Sequence, residues 1–137
     1  MIFSDMVKET LVIGRWVVDF LFCEREYDGE GVLGCLYDAY APWDIMAQAE
    51  DLMLSCERNC GFTYSNGERR RAVVLIGPAS SGDEWLDTLV HEIRHLADAI
   101  AKELGVRLDS ERPAYLSGHV VRELAELVCL FGCSDEK

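Results

Sequence analysis

The chain has no run of about 18 apolar residues, so no segment of it reads as a membrane span. It also lacks a basic excess: 13 Lys and Arg stand against 25 Asp and Glu, a net charge of −12. A field of that sign repels phosphate backbones, and nucleic acid is not an expected partner. The run Arg69-Arg70-Arg71 does not change this, since it reads as the solvated, edge-protecting face of a strand. Residues 1–9 carry acids where a secretory leader would have a basic and then an apolar region, and the expected location is cytoplasmic. There is no internal repeat and no low-complexity linker. Ser80-Ser81-Gly82 has the composition of a phosphate loop but no Lys or second glycine at the required spacing.

What is present suits one domain over residues 1–137, with 50% hydrophobic content to build its core. Trp16, Trp43 and Trp85 are expected in that core or on its rim. Six cysteines are scattered through it, as buried thiols would be in a cytosolic protein. Cys56/Cys60 and Cys129/Cys133 repeat one spacing, which leaves open a structural module held by cysteine-bound zinc.

Local patterns divide the chain into two parts. Residues 10–13 and 16–23 are rich in β-branched and aromatic side chains around Gly14-Arg15, which predicts a hairpin or one bent strand. Residues 32–40 suit a short helix, and apolar residues at helical spacing predict another over about 43–58. Asn66-Gly67 between residues 61–64 and 69–76 predicts a hairpin with a type I′ turn. A helix capped at Asp83 or a neighbour runs to Leu104 and ends at Gly105. A last helix, capped by Ser110 with Pro113 in its first turn, runs to Phe131. Strands and helices followed by a hairpin and two long helices make an α+β fold.

The helix over 83–104 carries His91-Glu92-Ile93-Arg94-His95. At 100° per residue, Leu86, Leu89, Val90, Ile93, Ala97, Ile100 and Leu104 form a core stripe, with His91, His95, Asp98 and Lys102 opposite. Imidazoles at i and i+4 stand one turn apart and can reach one ion, and neutral imidazole nitrogens suit Zn²⁺. Glu92 points roughly 100° away from His91, beside the ion and not on it. There it can take a proton from a polarised water and return it to a leaving amine. Two of the chain's three histidines fall in this one motif.

A third ligand has several candidates. Glu111 begins a second polar stripe with Tyr115, Gly118 and Arg122, while Asp98, His119, Glu123 and Glu126 are alternatives. Asp98 also suits orienting an imidazole N–H, and Arg94 and Arg122 suit surface ion pairs. An antiparallel, somewhat splayed helix pair would bring Glu111 towards His95, with Gly118 permitting close approach.

His-Glu-x-x-His followed by a downstream helical Glu resembles the gluzincin-type zinc metallopeptidases. Glu111-Arg112-Pro113-Ala114-Tyr115-Leu116-Ser117-Gly118 is similar to the Glu followed by Ala-Tyr-x-x-Gly on the helix after the motif helix of small phage- and mobile-element-encoded minimal zincins. The likeness covers about residues 70–125. It implies a small zincin-like domain with His91, His95 and Glu111 as zinc ligands, Glu92 as general base and Tyr115 as oxyanion donor. The spacing between His95 and Glu111 is shorter than in larger gluzincins, and the chain has no room for a large substrate domain. The expected function is hydrolysis of peptide bonds in a peptide or protein substrate. The alternative is a catalytically silent accessory or assembly protein of a phage or mobile element, keeping the helices as scaffold.

Overall fold

The computed structural model describes residues 6–55, 57–107 and 109–132. Four strands form one mixed sheet: β1 (Met6–Ile13), β2 (Trp16–Cys23), β3 (Gly61–Asn66) and β4 (Arg71–Ile76), in the order β1-β2-β4-β3. Five helices accompany them: α1 (Gly29–Asp38), α2 (Trp43–Ser55), α3 (Gly82–Glu103), α4 (Arg112–Glu123) and α5 (Ala125–Gly132). The α+β reading therefore holds. Among the described residues no helix is long and apolar enough to cross a membrane.

β1 and β2 are a hairpin in which Ile13 pairs with Trp16 across a two-residue turn. Gly14, at the first central position, takes φ 61, as a type II′ turn requires and a side chain would resist. The second hairpin also forms, but not with the expected turn. Asn66 pairs with Arg71, so four residues lie between the strands, and the positive φ (53) falls on Arg70. The Asn66 side chain accepts from the Arg69 backbone N–H at 3.1 Å and closes the turn itself. The longer loop places Arg69 4.1 Å from the Tyr40 ring centroid and lets Arg70 pair with Glu103 at 3.1 Å. The arginine run thus belongs to a turn, with Arg71 alone in a strand.

β2 and β4 are parallel neighbours, joined by a crossover through α1, α2 and β3. Both are central and buried on their two faces, which explains their nearly unbroken apolar sequences. Trp16, Val18, Phe20 and Phe22 with Ala72, Val74 and Ile76 face α3, α4 and α5. Leu21, Cys23, Val73 and Leu75 face the other way, onto α1 and α2. The sheet is a middle layer between two separate apolar cores.

α3 begins at Ser81, whose hydroxyl accepts from the Glu84 N–H at 3.2 Å. The expected last helix is broken. Leu124 closes α4, buried in the core with φ −101 and ψ 18, and α5 restarts at Ala125. The bend keeps Leu124 in the core and still brings Phe131 onto Trp85 (5.3 Å between centroids) and Phe22 (5.9 Å). Glu111 holds the N-cap position of α4 without a side-chain capping bond, while the Ser110 hydroxyl accepts from the Arg112 backbone N–H at 3.4 Å, the capping bond expected of it. Trp16 and Trp85 are buried, whereas Trp43 is 86% exposed at the start of α2.

Candidate functional site

α3 lies against the face of the sheet next to the edge strand β3. Leu89, Ile93, Leu96 and Ile100 hold it there. Val90 and Leu104, expected in the same stripe, are exposed, because the buried arc is centred nearer Leu89, Ile93 and Leu96. That rotation turns Glu92 inward and leaves His91 and His95 on the surface.

The two imidazoles meet edge to face, with their Nε2 atoms 3.2 Å apart. Two nitrogens about 2.0–2.1 Å from a tetrahedral ion stand about 3.3–3.4 Å from each other. The spacing of the pair matches two corners of such a site, and in the absence of an ion the same contact is a hydrogen bond between the rings.

Glu92 is only 6% exposed. Thr63 of β3 donates to its Oε1 at 2.6 Å and lies 3.3 Å from its backbone oxygen. Gly61 makes this seat possible: a Cβ there would come within 2.7 Å of Glu92 Cγ and 2.8 Å of Thr88 Cγ2. A shallow groove of 370 Å³ runs past the motif, lined by His91, Glu92, Thr88, Asp87, Glu84 and Cys60 among others. Asp87 stands one turn before His91, in the row that continues to His95.

The other expected residues stand apart. Among the described residues no third His, Cys, Asp or Glu joins the pair in a group that could hold a metal. Asp98 is bonded to Arg94 at 2.9 Å, as an i, i+4 ion pair. Glu111 is exposed at the start of α4, Tyr115 is 70% exposed, and His119, Arg122, Glu123 and Glu126 also face solvent. α3 and α4 meet through apolar residues, Val120 and Leu124 entering the core shared with α3, so their polar stripes both point outward. That is a correction to the facing stripes expected from the helical wheels. Burial of the apolar stripes decides which sides meet.

Compared with family models, curated proteins and solved structures, the chain matches none.

Cys23 and Cys35 are buried, Cys60 is half-buried and Cys129 is exposed. Desolvation pushes the Cys35 thiol above its ordinary range, with Asp19 and Asp38 adding to it and Lys8 opposing. Burial also raises Cys60, helped by the hydrogen bond and charge of Glu57. Cys56 and Cys133, half of the four-cysteine arrangement, lie outside the described residues.

Proposed function

We propose that this chain is a small metal-dependent hydrolase of zincin type, cytoplasmic, that cleaves peptide bonds in a peptide or protein substrate. The observation that carries the reading is the 3.2 Å separation of His91 and His95 Nε2, with His91 and Glu92 lining one groove. His91 and His95 would hold the ion, with Zn²⁺ the metal that fits two imidazoles best, and Glu111 is the third ligand that the zincin resemblance implies. Bound there, the metal would supply Lewis acidity towards a carbonyl oxygen and make a water acidic near neutral pH.

The chain's own residues account for the remaining work. Glu92 is the proton carrier: Thr63 fixes one carboxylate oxygen, leaving the other to accept and return a proton. β3, an edge strand among the described residues, gives an extended peptide a strand to pair with, next to the motif. Tyr115, by the same resemblance, would donate to the developing oxyanion.

The experiment is metal analysis coupled to hydrolysis of a peptide library. One zinc per chain, lost in His91→Ala and His95→Ala, and retained in Glu92→Gln with activity abolished, supports the enzyme. Glu111→Ala tests the third ligand in the same assay. Zinc that survives both His substitutions but disappears with Cys56 and Cys60 replaced would support the cysteine-held module instead.

A second reading is favoured by the tie between Glu92 and Thr63 and by the lack of a third donor beside the His pair among the described residues. It is a catalytically silent accessory protein of a phage or mobile element that keeps the helices as scaffold. Bound metal with no cleavage of any library peptide would favour it.

A further inference from the structure

A second place on the molecule is shaped for a ligand, and it does not depend on the His pair. β2 and β4 are parallel and adjacent, so both end on one edge of the sheet, at Cys23 and Ile76. From that edge the chain leaves β2 for α1 on one face and leaves β4 for α3 on the other. Connections that diverge from neighbouring parallel strands open a crevice outside their carboxyl ends, where open α/β sheets bind ligands.

A crevice of 390 Å³ lies there, bordered by Arg25, Arg58, Ser81, Gly82, Trp85 and Phe131. A neighbouring cavity of 510 Å³ shares Arg25 and Arg58. The first amides of the 22-residue helix α3 have no acceptor within the helix and carry the positive end of its dipole. Glu24 is on the border, but the acids of the helix's first turn, Asp83 and Glu84, are not. Arg58 has no ion-pair partner among the described residues. In a chain of net charge −12, Arg58 puts a positive charge on the same crevice as that helix N-terminus.

Trp85 points independently to a ligand. It borders the crevice and is 3% exposed, yet its indole Nε1 is the one buried side-chain nitrogen or oxygen without a partner among the described residues. Buried donors are nearly always satisfied, and this one, on a residue that borders the crevice, is not.

We propose that this crevice binds a small molecule presenting a phosphate or carboxylate group to Arg25, Arg58 and the start of α3. Its apolar or aromatic part would lie against Trp85 and Phe131. The test is calorimetric titration of the full chain with inorganic phosphate, phenyl phosphate and benzoate, with the Trp85 indole N–H followed by NMR. At least one aromatic anion should bind, more tightly than inorganic phosphate, and shift the indole resonance. Arg58→Ala should weaken it about tenfold or more, while His91→Ala leaves it unchanged. Preference for phenyl phosphate assigns a phosphate ligand, and preference for benzoate a carboxylate. No binding of any of the three at about 10 mM would overturn the proposal. So would binding undiminished in the Arg25→Ala, Arg58→Ala double variant, or lost in His91→Ala.

Discussion

Among the described residues, the hydroxyl of Thr63 is the hydrogen-bond donor on which the inward-facing carboxylate of Glu92 rests. Replacing Thr63 with Val keeps the shape and removes the donor, which should cost about 1–3 kcal/mol in urea unfolding. Glu92→Gln keeps an oxygen for Thr63 to bond and should change stability far less, so the two variants separate the structural bond from any chemistry. Gly61→Ala should displace Glu92 from its seat, since the added methyl meets Cγ and Oε2 at 2.7 and 2.9 Å. A second residue-scale expectation concerns Cys60. Its thiol is raised by burial first and by Glu57 second, so less of it is thiolate at a given pH. Its alkylation, followed by peptide mapping, should be slow at pH 8. The rate should still be climbing at pH values where an ordinary thiol, with a pKa of about 8.5, has levelled off.

At the scale of elements, α3 depends on its first turn as well as its apolar stripe. Ser81→Ala removes the acceptor for the Glu84 N–H and should lower stability by about 1 kcal/mol, read as a fall in urea midpoint without a change in slope. This helix was legible in the sequence because periodicity and terminal glycine are local, although its cap is Ser81, two residues before Asp83. The two hairpins were legible for the same reason. The break at Leu124 was not, because it comes from a tertiary demand: Leu124 and Phe131 both enter the core, and a bend lets them. The four-residue turn after Asn66 was missed because Arg69 and Arg70 find partners, Tyr40 and Glu103, that are distant in sequence. The site divides along the same line. His91, Glu92 and His95 could be read from i, i+4 spacing, whereas Thr63 and Gly61 belong to it only because β3 is the edge beside α3. The outward stripe of α4 could not be oriented from its own pattern, since a wheel gives the relative directions of residues and not what lies opposite.

At the scale of the whole molecule, the sheet separates two cores that share no residue. Phe20 reports on the core beneath α3 and Leu36 on the one beneath α1, both fully buried. Phe20→Ala should cost about 3–5 kcal/mol and Leu36→Ala about 2–5 kcal/mol. A single cooperative transition in each variant would show that the β2–β4 ladder couples the layers. Loss of protection confined to α1 and α2 in Leu36→Ala, seen by hydrogen exchange, would show that they open separately.

That ladder has one more consequence. β2 and β4 are the seam between the first half of the chain, a hairpin with two helices, and the second, a hairpin with three. A chain cut between Ser55 and Gly61 would leave each fragment with an unpaired strand edge and half of each apolar layer uncovered. Mixed together, the fragments should dock strand to strand and rebuild the protein, which makes the fold a natural split reporter. Kept apart, neither should hold its shape.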